Sequence, residues 1–187
     1  MLSVAGSRRI IYLTALETGL RRGEMAQIKW EDFQLDPPRP YLKIRDSISK
    51  NHKDAKIKLH AELAGALRAY RPSSARPADL VFPKMPSMDQ YRTDLEAANI
   101  QYRDEEDRQA DFHALRHAFR TRLSAAGASP RLVMELMRHS DIELTIKTYI
   151  DASKLPTDDV IGRLPGFGGW AHKKAHTKLA RVGMTWR

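Results

Sequence analysis

The 187-residue sequence contains no cysteine. This absence excludes a disulfide framework, a zinc site built on thiolates and a thiol nucleophile, so any nucleophile must be an oxygen or a nitrogen. No uncharged apolar run approaches the roughly 18 residues that a membrane span requires. The first residues, MLSVAGSRR, also lack the order of charged and apolar residues that is typical of a secretory signal peptide. We therefore expect a soluble, cytoplasmic protein.

Internal repeats and phosphate-binding glycine loops are missing as well. No Gly-rich loop is followed by Lys and Ser or Thr, the pattern with which a P-loop binds nucleotide phosphates. Hydrophobic residues make up 42% of the chain and charged residues 29%, which is enough apolar surface to exclude a wholly disordered protein. The length fits one domain followed by a short tail.

The formal net charge is +9, which favours a polyanionic partner such as nucleic acid. However, residues 153–187 carry seven Lys and Arg against two Asp, a surplus of five that leaves only four positive charges for the rest of the chain. Net charge alone is therefore a weak indication of DNA binding. We divide the chain into a domain at residues 1–152 and a basic C-terminal tail at residues 153–187.

The hydrophobic pattern predicts a mainly α fold with a small antiparallel β-hairpin or sheet. Alternating residues at 41–45 and 55–59 predict the hairpin, and the polar stretch 49–54 suits its tip. The predicted helices span residues 8–20, a segment from Gly23, and residues 61–70, 88–99, 112–126, 130–138 and 143–150. The residues expected to be buried on the helix at 130–138 are Leu132, Val133, Leu136 and Met137.

Two segments carry polar residues suited to chemistry on a phosphate. Arg21 lies at a turn between two helices, where its planar guanidinium can face an anion while Glu24 holds it from behind. On the predicted helix 112–126, His113 and Arg116 are three residues apart and share one face. An imidazole that can move a proton then lies beside a guanidinium that can bind an anion. Each pair, taken alone, is also compatible with a solvated helix end.

Three further residues are weaker candidates. His139 follows the helix at 130–138, and Tyr149 lies ten residues after it. Lys50 lies at the hairpin tip, close in sequence to Lys53 and Lys56. A single His near a helix end is usually a cap, a single Tyr is usually core or interface, and a group of lysines is usually a solvated basic loop. None of the three is persuasive by itself.

Together, these segments resemble the catalytic domain of the tyrosine recombinases, the phage-type integrase family. The local sequences that carry the resemblance are Thr18-Gly19-Leu20-Arg21-Arg22-Gly23-Glu24-Met25, His113-Ala114-Leu115-Arg116-His117-Ala118-Phe119, and Arg138-His139-Ser140 through Tyr149. The similarity runs from about Arg8 to Asp151. Arg138 departs from the family's pattern, which commonly has Gly there, and a start at Arg8 omits the first part of the usual opening helix.

The resemblance implies the tyrosine recombinase catalytic-domain fold and a set of site residues. Those residues are Tyr149 as nucleophile, Arg21 and Arg116 as clamps on the scissile phosphate, His113 as acid/base group, His139 as a further phosphate hydrogen-bond donor, Lys50 as general acid, and Glu24 as support. The match of Ser49-Lys50-Asn51 to the family's usual turn selects Lys50 over Lys53 and Lys56. The implied reaction breaks and rejoins DNA through a 3′-phosphotyrosyl intermediate, with neither a metal ion nor a cofactor.

The implied partner is double-stranded DNA, bound by a homotetramer in which the tail is exchanged between protomers. A disordered end is the alternative for the tail. Members of the family usually carry a separate amino-terminal DNA-binding domain, for which this chain has no room, so we expect weak site affinity. Three other functions stay open: a catalytically incomplete DNA-binding remnant, strand passage like that of type IB topoisomerases, and a phosphoesterase that uses His113 and His139 as an acid/base pair.

Overall fold

A computed structural model of the chain describes residues 1–36, 38–49 and 53–138. The described residues are mostly helical and include a three-stranded antiparallel sheet, which confirms the predicted fold class. The helices are α1 (Arg9–Thr18), α2 (Arg22–Met25), α3 (Ala61–Tyr70), α4 (Met88–Ala97), α5 (Phe112–Ala125) and α6 (Pro130–Met137), and the strands are β1 (Phe33–Gln34), β2 (Tyr41–Ile44) and β3 (Ala55–Lys58). Among these helices, none is both long enough and apolar enough to cross a membrane.

Helix α1 contributes much of the hydrophobic core and packs against α3 and α5. Seven of its ten residues are buried, so the helix has hardly any solvent-facing side. It ends at Gly19, which adopts the left-handed conformation with φ 61° and donates its N–H to the carbonyl of Ala15. Glycine takes this conformation without the penalty that a Cβ imposes. The predicted helix stop is confirmed, and the chain turns there toward Arg21.

The helix predicted from Gly23 is much shorter than its apolar pattern indicated. Helix α2 has four residues, and Trp30 lies in a separate 3₁₀ turn. The intervening backbone pairs with a distant segment, because Val81 donates its N–H to the carbonyl of Ile28 at 2.9 Å. Trp30 likewise donates to the carbonyl of Asp79 at 3.1 Å. These bonds satisfy the backbone groups that a longer helix would have paired internally.

The sheet confirms the predicted hairpin and extends it. Strand β2 pairs antiparallel with β3, with Leu42 opposite Ile57, and the side chains of both residues are buried in the core. Strand β1 adds to the other edge of β2, where Phe33 is opposite Leu42. Two residues are too few to show an alternating pattern, which is why the sequence did not predict β1.

Helix α4 differs from the exposed helix predicted over residues 88–99. It buries Tyr91, Asp94 and Leu95 on one face. Tyr91 and Leu95 are four residues apart and so form an apolar stripe that packs on the core. The sequence did not predict this short stripe because charged and polar residues occupy the remaining faces of the helix.

Helices α5 and α6 lie where the sequence predicted them. The side chain of Asp111 caps α5 by accepting from the backbone N–H of Ala114, and Ser129 caps α6 in the same way. Val133 is buried as expected, but Leu132 is 48% exposed, so the apolar face of α6 is narrower than predicted. The helix predicted at 143–150 lies outside the described residues.

Candidate active site

The site is built around the carboxylate of Glu24 in the first turn of α2. Arg21, the residue just before this helix, donates its backbone N–H to Glu24 Oε2 at 2.9 Å and its Nη1 to Glu24 Oε1 at 3.0 Å. The Glu24 side chain is 3% exposed, whereas that of Arg21 is 26% exposed. A buried carboxylate therefore lies behind a guanidinium that solvent can reach. This is the contact that the turn sequence predicted.

Arg116 joins three parts of the chain from inside the core. Its residue is 3% exposed, and its guanidinium donates to the backbone carbonyls of Gly19 and Met137. Gly19 follows α1 and Met137 ends α6, so Arg116 on α5 ties both helix ends together. The side chain does not lie at a water-facing helix end, as one interpretation of the sequence allowed.

Arg138 brings a second guanidinium to the Glu24 carboxylate. It follows α6 in the left-handed conformation, with φ 55° and ψ 42°. Its Nη2 donates to Glu24 Oε2 at 3.0 Å, and its side chain is only 13% exposed. The sequence marked this position as a departure from the family's Gly but did not indicate a role. The one feature of the sequence that could have indicated a role is that a charged residue stands where helix termination favours glycine.

Among the residues that the structure describes, positive charge exceeds negative charge at this site, since Arg21 and Arg138 share the Glu24 carboxylate and Arg116 lies close enough to interact with the charges of all three. Burial, followed by the positive charges of Arg21 and Arg138, lowers the pKa of Arg116 to about 10. Burial alone would raise the pKa of Glu24, but the charge of Arg138 and the hydrogen bonds from Arg21 and Arg138 outweigh it and lower that pKa. Arg116 and Glu24 therefore both remain ionised at neutral pH. Such a cluster attracts an anion.

His113 lies on α5 one helical turn before Arg116, and its residue is exposed. Partial burial of the ring, together with the charges of Arg116 and Arg21, lowers the pKa of His113 below its usual 6.5, against the opposing charge of Asp111. The imidazole is therefore neutral at pH 7 and free to accept a proton. Its ring centroid lies 4.9 Å from that of His117, one turn further along the helix.

A cleft of about 740 Å³ separates the β-hairpin from α6. Lys53 and Lys56 line it on the hairpin side, and Arg138 lines it on the α6 side. The Nζ of Lys56 also lies 4.2 Å from the ring centroid of Tyr41, a cation–π contact that engages this lysine on the sheet. Basic groups thus line the cleft on both sides, together with the carboxylates of Asp54 and Glu135.

Three predicted site residues, Lys50, His139 and Tyr149, lie outside the described residues, as does the tail at 153–187. Their roles, like the catalytic roles of Arg21, His113 and Arg116, stay predictions. The structure does bring together Arg21, Glu24 and Arg116 from two distant segments. Within the described part of the chain, no group of three or more His, Asp or Glu residues could hold a metal ion.

Comparison with known proteins identifies the family to which this sequence belongs. Residues 4–155 match the sequence model described as the phage integrase family, which covers more than half of the chain. The chain belongs to the phage integrase family. The resemblance drawn from the motifs around Arg21, Arg116 and Tyr149 is therefore confirmed at the level of the family.

Individual relatives agree with this assignment. The tyrosine recombinase XerC of Xanthomonas axonopodis pv. citri (strain 306) is 28% identical over 142 residues, which cover 74% of this chain and 45% of that protein. The tyrosine recombinase XerA of Thermococcus kodakarensis is also 28% identical over 142 residues, covering 73% of this chain and 48% of that protein. The chain thus spans about half the length of these relatives.

The solved structure of the Tn1549 transposon integrase, in complex with transposon right end DNA, shows the same fold. It matches with a TM-score of 0.64 and 22% identity, over 87% of this chain and 60% of that chain. The catalytic domain of bacteriophage HP1 integrase also matches, with a TM-score of 0.57 and 17% identity over 84% of this chain and 82% of that chain.

Proposed function

We propose that residues 1–152 form a tyrosine recombinase catalytic domain that cleaves and rejoins DNA strands through a 3′-phosphotyrosyl intermediate, in site-specific recombination or integration. The observation that carries the proposal is that Arg21 and Arg116, from two distant segments, lie close to one buried carboxylate, Glu24. Arg116 is buried and Arg21 is partly exposed, so the structure holds one guanidinium in place inside the core and presents the other to solvent. A phosphodiester is the anion that the family's chemistry would place there.

The two arginines would supply most of the rate enhancement. A phosphodiester is a stable anion, and a phenol with a pKa near 10 is only about one part in a thousand ionised at pH 7. Arg21 and Arg116 would hold the nonbridging oxygens and stabilise the charge that develops in the five-coordinate transition state. Loss of one such donor typically lowers the rate by about 10² to 10³.

The covalent step would exchange one phosphate ester for another. The Oη of Tyr149 attacks the phosphorus, and its proton passes to the neutral imidazole of His113. The bond between phosphorus and the 5′ oxygen breaks, and Lys50 protonates that oxygen, while His139 donates a further hydrogen bond to the phosphate. Attack by the 5′-hydroxyl of a second strand reverses these steps and releases the tyrosine. The reaction consumes no cofactor.

Double-stranded DNA would be the partner, which would bring the protein to the nucleoid. Supporting this choice, the Tn1549 transposon integrase was solved in complex with DNA. Binding would rest largely on phosphate contacts by Lys and Arg and would weaken steeply with salt. The basic residues 153–187 would act as an exchange arm between the protomers of a homotetramer on DNA. Deleting them should reduce tetramers, measured by mass photometry on DNA, while strand cleavage by single protomers persists.

The experiment that tests the proposal is covalent trapping on nicked duplexes. A library of nicked duplexes with a random central segment removes the need to know the target site. The wild-type chain should form an SDS-resistant protein–DNA adduct, and peptide mapping should place the DNA on Tyr149. Tyr149→Phe should lose the adduct yet retain binding. Tyr70→Phe, which alters a tyrosine on α3 that is 39% exposed, serves as the matched control and should leave the adduct unchanged.

The other outcomes separate the alternative functions. An adduct that persists in Tyr149→Phe would reject Tyr149 as the nucleophile. Binding without any adduct in the wild type would indicate a DNA-binding remnant, and cleavage to free ends would indicate a phosphoesterase that uses His113 and His139. Relaxation of supercoiled DNA without strand exchange would indicate topoisomerase-like activity.

A further inference from the structure

Arg138 occupies a backbone position at which helix termination favours glycine. Its φ of 55° is left-handed, and its N–H donates to the carbonyl of Glu135 at 3.0 Å as α6 ends. Residues that have a Cβ are disfavoured in this backbone conformation, whereas Gly adopts it freely. A long charged side chain therefore occupies a position where termination of the helix requires no side chain. The presence of arginine there has to be explained by contacts of its side chain.

The contacts of Arg138 supply that reason. Its guanidinium reaches Glu24 Oε2 at 3.0 Å, across a sequence separation of 114 residues. The same carboxylate binds Arg21 through both its backbone N–H and its Nη1. Glu24 is thus a bridge between Arg138 and Arg21, and both its oxygens are engaged. A displacement of Glu24 would displace the Arg21 guanidinium as well.

The end of α6 is held from a second direction. The carbonyl of Met137 accepts a hydrogen bond from the buried guanidinium of Arg116. Met137 and Arg138 are adjacent, so one peptide joins a backbone contact to Arg116 with a side-chain contact to Glu24. The two arginines that would bind the scissile phosphate are linked through this single corner of the chain.

We propose that Arg138 is a positioning residue that orients Arg21 through Glu24 and holds the end of α6 against Arg116. The inference rests on the proposed function, since it assumes that Arg21 and Arg116 bind the reacting phosphate. The guanidinium of Arg138 donates to the Glu24 carboxylate, so we assign it a role through Glu24 and no direct contact with the reacting phosphate. Its effect is to set the two guanidiniums before DNA arrives, which reduces the reorganisation needed in the transition state.

Replacement by glycine provides a clean test, because Arg138→Gly removes the guanidinium and retains the left-handed backbone. At saturating nicked duplex, adduct formation in a single turnover should slow by roughly 10- to 100-fold, the scale of a misplaced reacting group. The dissociation constant for the duplex should change little. Arg138→Lys restores a charge beside Glu24 and should recover most of the rate. Arg131→Ala, which removes one positive charge from the exposed first turn of α6, is the matched control and should cleave at the wild-type rate.

A double-mutant cycle tests whether Arg138 acts through Glu24. If it does, Arg138→Gly combined with Glu24→Gln should cleave no more slowly than Glu24→Gln alone. Independent, multiplicative losses would overturn the inference. Wild-type cleavage by Arg138→Gly would overturn it too, while leaving the proposed function intact because the wild-type adduct would still form.

A measurement without DNA keeps the inference testable if the wild type forms no adduct and the proposed function fails. In the free protein, the guanidinium signal of Arg21 can be assigned by comparison with Arg21→Lys in NMR spectra. Its hydrogen exchange should accelerate in Arg138→Gly and remain at the wild-type rate in Arg131→Ala. Unchanged exchange in Arg138→Gly would show that Arg138 does not hold Arg21 and would overturn the inference.

Discussion

Two buried carboxylates, Glu24 and Asp94, stand in contrasting surroundings. Asp94 on α4 accepts both Nε and Nη2 of Arg8 at 2.7 Å, and the hydroxyl of Tyr12 at 2.6 Å. One carboxylate there meets one guanidinium and one neutral phenol, so the charges balance. Glu24 meets the guanidiniums of Arg21 and Arg138, with Arg116 close by, so in the described part of the chain positive charge exceeds negative charge there.

The pKa values report this difference. The hydrogen bond and charge of Asp94 raise the pKa of Arg8 above its usual value, as expected for an ion pair that stabilises a fold. Burial and neighbouring positive charges instead lower the pKa of Arg116 to about 10. A balanced pair needs no further partner, whereas an unbalanced cluster is most stable with an anion bound. We infer that the Asp94 network serves stability and the Glu24 cluster serves binding.

The largest expected effect separates the arginines of the two sites. Arg116→Lys should lower the rate of adduct formation by about 10² to 10³, because a lysine cannot reproduce the planar, multi-donor geometry of the guanidinium. Arg8→Lys should leave that rate within about twofold of wild type when measured well below the unfolding midpoint. Single-turnover trapping on nicked duplex measures both. An equal loss of rate in the two variants would remove the distinction between the sites.

A second test introduces strain at Gly19, whose carbonyl accepts a hydrogen bond from Arg116. Gly19→Ala places a Cβ in steric overlap with the ring of Phe119 at a residue with φ 61°, so the unfolding free energy should fall by roughly 2–4 kcal/mol. Gly127→Ala is the matched control, because its φ is 80° but no atom lies within 4 Å of the new Cβ. It should lose only about 1–2 kcal/mol, from backbone strain. Urea unfolding compares the two, and equal losses would show that the contact with Phe119 is relieved at no cost.

The third test addresses the balanced network. Asp94→Asn should lower the unfolding free energy by about 2 kcal/mol, less than a fully buried pair would lose, because the Arg8 side chain is 33% exposed. The rate of adduct formation should not change under native conditions. Urea unfolding and covalent trapping on the same preparation provide both values. A large loss of the rate of adduct formation at unchanged unfolding free energy would show that Asp94 has a functional role.

The smallest effect is a dependence of stability on pH. The hydrogen bond from Arg8 lowers the pKa of Asp94. A carboxyl group with a lowered folded pKa contributes stability that is complete above its unfolded pKa of about 3.9 and is lost as the pH falls through the folded value. Wild-type stability should therefore decline more steeply below pH 4 than that of Asp94→Asn, by roughly 1 kcal/mol. Urea midpoints between pH 5 and pH 3 measure this, and parallel curves would contradict it.

Much of the local structure could be predicted because its causes are local. Gly19 ends α1, Ser129 caps α6 and the alternation around Leu42 marks a strand, each through interactions with close neighbours in sequence. The length of α2 could not be predicted, since the backbone near Ile28 pairs with Val81. The burial of one face of α4 also depends on packing against distant residues.

The same division applies to the site. The motifs around Arg21, His113 and Arg116 are contiguous in sequence, and their identity and order were enough to indicate the family. No local sequence pattern could predict that Arg116 is buried between two carbonyls, because one of them is 97 residues away. The role of Arg138 was hidden for the same reason, because its partner Glu24 lies 114 residues earlier.

The sequence by itself determined which groups this protein has, where most of its helices begin and end, and which family it belongs to, because hydrogen bonding and periodicity act over a few residues. Only the tertiary structure decided that two guanidiniums meet at one carboxylate, with a third close by. Charges act through space, so their balance depends on which segments the packed core brings together.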